Sequence, residues 1–224
     1  MPEYLELAGP LQERFPRLAA QVIRFRNVKV ERKNNELELY KKEMAQEVVG
    51  KWNLEDLRDH HKFRAYRDFF WKLDVDPTKT RPAAEALIRR VLRGRDLPLI
   101  NTWVDSYNLA SMKTAIPIAS FDSDLLEGDL MMREAIQGEM FLGIGMDKPV
   151  VLNGGEVVIE DGKRLVAIYP YRDADYSKVN LSTHNVLMLM CGAPNISKVD
   201  LDEAAEVSKA IVLKFCDGDT IDRN

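Results

Sequence analysis

Apolar and charged positions nearly alternate over residues 22–30. Ile23 and Phe25 are followed, after a skip in phase, by Val28 and Val30, a pattern that predicts a strand carrying a bulge. The period then lengthens. Leu37, Tyr40, Met44 and Val48 recur at helical spacing, with Asn34 and Asn35 placed to cap and Gly50 placed to stop the helix. A second helical stretch is predicted over residues 53–73, where Phe63, Tyr66, Phe70 and Leu73 share a face. The clearest helix comes next. Ala84, Leu87, Ile88, Val91 and Leu92 fill the i, i+3, i+4, i+7, i+8 template, with Thr80 as cap, Pro82 in the first turn and Gly94 after the end. Its other face carries Arg89, Arg90 and Arg93, with Arg81 and Arg95 at the ends. One more helix is predicted over residues 103–113, interrupted by Pro117.

Beyond Pro117 the signal turns mostly to strands, at residues 130–135, 140–144, 156–159, 164–168 and 184–191. Asp161-Gly162 lies between two of them as a hairpin turn. A last helix is predicted with Asp200 as cap, Glu203 completing a capping box, and Ala204, Val207, Ile211 and Phe215 on its buried face. Gly218 ends it, and the acidic tail is expected to fray. Helices at both ends and strands between them indicate an α+β fold, with a central, mostly antiparallel sheet and flanking helices. Residues 1–80 are expected to form a mixed extension packed on a domain of residues 81–224, the whole making one compact unit.

Composition removes several classes of function. The 224 residues carry a formal net charge of −4, so any RNA contact must come from a local basic patch and not from the overall field. The only two cysteines, Cys191 and Cys216, have neither disulfide nor metal spacing and read as buried and reduced, which fits the cytoplasm. The longest apolar run, residues 186–191, is far too short to cross a membrane, and the first ten residues lack a signal-peptide pattern. The acidic residues Asp122, Asp124, Glu127 and Asp129 do not fit the calcium-loop template and read as a solvated turn, so no metal is expected. Phosphate-binding and dinucleotide fingerprints are absent, and no cofactor is expected.

Several polar groupings remain. Asn101, Asp105 and Asn108 fall on one helical face. A solvated face usually carries Lys and Glu, whereas short amides and carboxylates in a row suit holding a ligand, capping a loop or ordering water; both readings stand. Asn153-Gly154-Gly155-Glu156 precedes the hairpin, and its glycines permit positive φ or close approach to a ligand. After the hairpin, Arg172 and the two acids Asp173 and Asp175 lie on an aromatic loop that suits a recognition surface, and Thr183-His184 opens the next strand. No serine or cysteine stands in a nucleophile motif.

Six segments in order then resemble a known family: RPAAEALIRRVLRG (residues 81–94), LPLINTWVDSYNLAS (97–111), IPIASFD (116–122), REAIQGE (133–139), NGGEVVIED (153–161) and YRDADYSKVNLSTHNV (171–186). Together they resemble the B3/B4 domain of the phenylalanyl-tRNA synthetase β subunit, and most of all the free-standing B3/B4 proteins. The resemblance implies an α+β fold and, by analogy with the bacterial domain that hydrolyses tyrosine wrongly attached to the phenylalanine tRNA, a deacylase acting in trans on mischarged tRNA. Two positions depart from the family. Where it carries a histidine this chain has Ala119, and the nearest counterpart of its tyrosine-recognising glutamate is Asp175.

An aminoacyl ester is activated, so a positioned water and donors to the developing oxyanion suffice, each donor contributing about 3 kcal/mol. On this expectation the backbone around Gly154, Gly155 and Glu156 holds the water or oxyanion, and Asn101, Asp105 and Asn108 order the pocket. Asp122, Glu156 or Asp175 binds the ammonium group, and Arg172 and Thr183 meet the ribose or phosphate. Arg89, Arg90 and Arg93 meet the tRNA backbone. A module that binds aminoacyl-tRNA or an amino acid without hydrolysis, and an unrelated small-molecule hydrolase, are the other classes.

Overall fold

The computed structural model describes residues 2–221. Its elements run β1 (Glu3–Tyr4), β2 (Glu6–Leu7), α1 (Gly9–Arg14), β3 (Ala20–Arg26), α2 (Asn35–Lys51), α3 (His61–Lys72), α4 (Ala83–Leu92), α5 (Thr102–Thr114) and β4 (Ile118–Asp122). There follow β5 (Met131–Glu134), β6 (Met140–Phe141), β7 (Val150–Val151), β8 (Val157–Glu160), β9 (Leu165–Ile168), β10 (Arg172–Asp173), β11 (Val186–Cys191), α6 (Lys198–Cys216) and β12 (Asp219–Ile221). The fold is α+β, and of its pairings only that of β2 with β5 is parallel.

The strands divide over two five-stranded sheets and the small β6–β7 hairpin. The first sheet has the order β1-β3-β11-β4, with β12 also on β3; the second has the order β10-β9-β8-β5-β2. The first 80 residues therefore supply β3, an interior strand of the first sheet. Only Leu5 separates β1 from β2, so the chain steps from one sheet to the other there, and the Leu5 amide bonds the Ala20 carbonyl at 2.8 Å.

Strand alternation shows which side chains face which layer. On the first sheet, Ser120 accepts a hydrogen bond from the Trp103 indole at 2.7 Å, and the Phe25 ring meets Trp103 edge-on at 5.0 Å. That face therefore belongs to α5. Ala119, Phe121, Leu187, Leu189 and Cys191 point the other way. Across the second sheet, Leu7, Met132, Ile159, Ala167 and Asp173 are successive cross-strand neighbours. Its four apolar members pack with the main core, while Val158 and Ile168, one step along, line a separate apolar cluster on the far face. Asp173 is the one charged member of an inward-facing row.

Two phenols join the layers. Tyr66, on α3, donates to the Cys191 carbonyl at 2.6 Å, and Tyr169, just past β9, donates to the Gly192 carbonyl at 2.6 Å. Both rings are fully buried, and burial holds their hydroxyls protonated by pushing their pKa well above the usual tyrosine range. Gly192 is required here, because a Cβ would collide with the Ala19 carbonyl oxygen.

Several local expectations need correction. The phase skip after Phe25 is the end of β3, not a bulge: Asn27 turns with φ 56° and the Val28 amide goes to His184. The bulge lies between β8 and β9, at Ile159/Glu160. The stretch 53–73 splits, because Asn53 accepts from the amides of Glu55 and Asp56 in a side-chain turn that leads into a 3-10 turn at Asp56–Arg58 before α3 begins. Pro82, not Thr80, stands at the cap of α4, since the Thr80 amide closes an earlier turn onto Asp76. Ser197 caps α6, and Asp200 is its reciprocal partner at the third helical position, in place of Glu203. Of the acidic tail expected to fray, residues 219–221 pair with β3 as β12, with Thr220 opposite Phe25, and residues 222–224 lie outside the described residues.

Each of Tyr66→Phe and Tyr169→Phe is expected to lower the unfolding free energy by about 1–3 kcal/mol, because a buried carbonyl loses its donor. Urea denaturation checks this; unchanged midpoints for both variants would show that the hydroxyls do not hold the layers.

Candidate functional site

The predicted polar stripe and the glycine turn are held by different neighbours. Asn101 caps α5 by accepting from the Val104 amide at 2.9 Å, and its Nδ2 reaches the Val179 carbonyl at 3.4 Å. Asp105 is buried. Its Oδ2 takes the Lys41 ammonium at 2.9 Å and its Oδ1 the Ile100 amide at 3.1 Å. Lys41 also bonds Glu38 and the Pro98 carbonyl, so it fastens α2 and the entry of α5 together. Burial pushes the Asp105 carboxyl up, and Lys41 with the Ile100 amide pulls it back. Asn108 is half-buried two positions before Ala110.

Gly154 and Gly155 both occupy the left-handed region, at φ 93° and 85°, as their sequence anticipates. A Cβ on Gly154 would press on the Gln137 amide at 3.2 Å. The Gly155 amide is committed to the Ala135 carbonyl at 3.0 Å, and its carbonyl accepts from Arg14 at 3.1 Å. Glu156 accepts from the Asn153 amide at 2.9 Å, while its Oε2 is buried without a donor among the described residues. The bonded neighbours of Asn101 and Asp105 and those of the turn share no residue, so these contacts do not join the two segments into one constellation.

Asp122 and Thr183 do meet. Both are buried, with the Thr183 hydroxyl donating to Asp122 Oδ2 at 2.6 Å, and the Asp122 amide bonds the Ser177 carbonyl at 2.8 Å. This knot ties the end of β4 to the chain returning from β10, which also forms a bridge between Phe121 and Lys178. Asp175 is paired with Lys178 at 2.6 Å. It opens onto a cavity of about 480 Å³ that also meets Arg133, Glu139, Glu160 and Tyr176. There Arg133 already pairs with both Glu139 and Glu160, at 2.6 and 2.5 Å. Arg172 is exposed; it donates to the Ile144 carbonyl at 3.2 Å and lays its stem over Gly143. Arg89, Arg90 and Arg93 lie along a groove beside α4, where Arg89 is also held by the buried Glu85 at 2.6 Å.

Asp173, which the sequence offers only as one of two acids on this loop and to which it assigns no role, stands apart in the structure. Its neighbour Arg172 pairs with Ile168 on the outer face, so Asp173, opposite Ala167, points between the sheets. Its backbone is pinned by the Ile144 amide at 2.9 Å, yet its carboxylate has no hydrogen-bond partner among the described residues. By area Asp173 is half-buried, but protein surrounds it closely, which describes a carboxylate recessed below the surface and open to water on one side. That environment pushes its pKa up to about 7; Arg172 opposes the shift only weakly. Tyr107 on α5 and Cys191 on β11 lie near enough for the Asp173 charge to add to the burial that raises both. The Asp173 charge thus reaches a phenol and a thiol on two other elements, and Ala119 faces the inter-sheet side. Among the described residues no group of histidine, cysteine and carboxylate side chains has metal-binding geometry. No helix among them is long and apolar enough to cross a membrane.

Comparison with known proteins places this architecture in a family. The B3/4 domain family matches residues 65–206, and the chain belongs to it. It is similar to the phenylalanine–tRNA ligase beta subunit of Geobacter sulfurreducens, with 32% identity over 108 residues, covering 48% of this chain and 13% of that protein. The same subunit of Mycoplasma genitalium is 26% identical over 113 residues, 50% of this chain and 14% of that one. That of Syntrophus aciditrophicus is 28% identical over 156 residues, 67% and 18% of the two chains. The chain thus matches under a fifth of the length of these relatives. Among solved structures, an N-terminal fragment of the phenylalanyl-tRNA synthetase beta subunit from Pyrococcus horikoshii matches 80% of this chain and 73% of its own, at 10% identity and a TM-score of 0.45.

Two outcomes are expected. Lys41→Met leaves the Asp105 carboxylate buried and unpaired, and should cost about 3–5 kcal/mol in chemical denaturation, with Asp105→Asn on that background recovering part of the loss. For Asp173, the folded pKa of about 7 lies above the unfolded value of about 3.9, so the folded state binds the extra proton between them. Its contribution to stability is present below pH 4 and lost as pH rises through 7. Asp173→Asn should therefore match the wild type near pH 4 and exceed its stability at pH 8. Parallel curves across that range would show that Asp173 titrates normally.

Proposed function

We propose that this chain hydrolyses the ester bond of aminoacyl-tRNA carrying a wrong amino acid, acting in trans. The family places it beside a tRNA ligase subunit. The observation that carries the chemistry is Asp173, an unpartnered carboxylate facing the space between the sheets with a pKa of about 7. A base at that pKa is ionised in about half of the molecules at neutral pH and still accepts a proton readily. In the proposed step, Asp173 takes a proton from water as the water oxygen bonds to the ester carbonyl carbon. The bond to the ribose oxygen then breaks, and the proton passes to that oxygen, releasing the free amino acid and intact tRNA. Tyr107 and Ala119 border the aminoacyl group. Asn101, Asp105 and Asn108 act as positioning residues by fixing α5, and Asp122 with Thr183 fixes the joint. Such an activity supplies the discrimination that a binding pocket lacks, at about 1–3 kcal/mol per methylene.

One observation favours a second reading. Ala119 stands where the family carries a histidine, which suits a module that binds aminoacyl-tRNA without cleaving it. A panel of mischarged tRNAs separates the two. Release above the rate in buffer, rising with pH to a plateau above about 7 and slowed roughly 100-fold or more in Asp173→Asn, supports hydrolysis. Retention of every ester, with salt-sensitive binding, rejects hydrolysis and supports the module.

A further inference from the structure

We infer that the groove beside α4 is a binding site for an RNA phosphate backbone. This deepens the proposed function by saying how the RNA is held.

The groove has a volume of about 420 Å³ and lies between the chain entering α4, the flank of α4 and the chain leaving it. Six of its lining residues are cationic: Lys79, Arg81, Arg89, Arg90, Arg93 and Arg95; no carboxylate lines it. The remaining walls are small and apolar, Ala86, Leu87 and Pro98. Three acids lie close by, and Asp96, next to Arg95, is exposed and lines no part of the groove. Glu85 is buried behind the groove and shared by Arg67 and Arg89, at 2.6 Å each, and Asp76 comes no nearer than 4.0 Å to Lys79. Arg90 gives its Nε to the Asp96 carbonyl, which orients its guanidinium and leaves its terminal nitrogens available. The Arg93 and Arg95 guanidinium groups have no protein partner among the described residues, and both residues are exposed.

Arg81 adds an independent sign. Its Nε is buried with no acceptor among the described residues, although it lines this groove. A buried donor left open calls for a water or an ion, and among these cations an anion is the ion that fits. A chain with a net charge of −4 does not attract polyanions as a whole, so six cations gathered on one face localise the attraction there. Their arrangement argues for a backbone and not a single phosphate. They are distributed over a ten-residue helix, about 15 Å long, and the segments at both its ends. Guanidinium forks match successive phosphate oxygens in pairs, and five of the six cations are arginines.

Binding of fluorescently labelled, uncharged total tRNA to the full chain, followed by anisotropy from 50 to 200 mM salt, tests this. Wild-type affinity should fall linearly with salt on logarithmic axes. Arg90→Ala with Arg93→Ala should weaken binding about 10-fold or more and reduce the salt slope by about one for each phosphate contact removed. The single charge reversal Arg93→Glu, at an exposed position, changes the charge by the same two units and should weaken binding to a similar extent while leaving thermal unfolding unchanged. Lys209→Ala, on α6, should have no effect. A polyglutamate peptide of matched charge should compete poorly. Absent binding, unaltered affinity and slope in the variants, or equal competition by polyglutamate would each overturn the inference. Because uncharged RNA is the probe, a chain that binds but never hydrolyses keeps the groove and rejects the enzyme. A chain that hydrolyses while the groove variants bind normally does the reverse.

Discussion

The end of β11 is held by two hydroxyl groups that come from different layers. Tyr66 approaches from a helix and Tyr169 from the second sheet, and each satisfies one of two consecutive carbonyls, those of Cys191 and Gly192. Neither phenol can ionise at physiological pH in so dry a setting, so both remain donors. The strand they anchor is apolar and buried from end to end and makes the central pairings of the first sheet, with β3 on one side and β4 on the other. The spacing between the sheets, and with it the geometry of everything that faces across the gap, follows from this anchor. Gly192 completes it by letting the Ala19 carbonyl approach more closely than any side chain would allow.

Within that frame the carboxylates sort into two kinds. Asp122, Asp161 and Glu85 are buried, and each is surrounded by donors: a threonine hydroxyl, a set of turn amides with a tyrosine, and a pair of arginines. They hold loops and helices in place and have no spare capacity. Asp173 shares their inward position but none of their partners. A recessed acid without donors is costly in its charged form, which is why such groups are rare unless a ligand or a reaction uses them. The same contrast applies to the cations. Lys41 is saturated by three acceptors, whereas the arginines past the end of α4 face water.

Much of this was legible in the chain. The helices α2, α4 and α6 follow a clear 3.6-residue period, and their places agree with the pattern of Leu37–Met44–Val48, Ala84–Ile88–Val91 and Ala204–Ile211–Phe215. The Asp161-Gly162 turn between β8 and β9 was equally plain, because Asp161 bonds the amides of the turn it opens. By contrast, β4 has all five residues buried and therefore shows no alternation to read. The strands β1, β2 and β12 have two or three residues each, and their pairing depends on what lies beside them in space. The acids divided the same way. In the run Arg172-Asp173-Ala174-Asp175, family resemblance directs attention to Asp175, and only the register of Asp173 opposite Ala167 reveals which acid turns inward. The arginine-bearing flank of α4 was visible as a periodic face. The neutralisation of Arg89 by Glu85 was equally available, four residues apart, but the contribution of Lys79 needed the folded path of the preceding turn.

The outer edge of β3 is covered twice, by β1 against Val22 and Gln21 and by β12 against residues 24–26. At the opposite side of the same sheet, β4 is bridged by the chain at Lys178. What remains exposed at the rim is therefore a set of fragments two or three residues long. A foreign strand needs a longer row of open amides and carbonyls to add on in register, so this sheet offers a poor template for amyloid-like growth or strand exchange between copies.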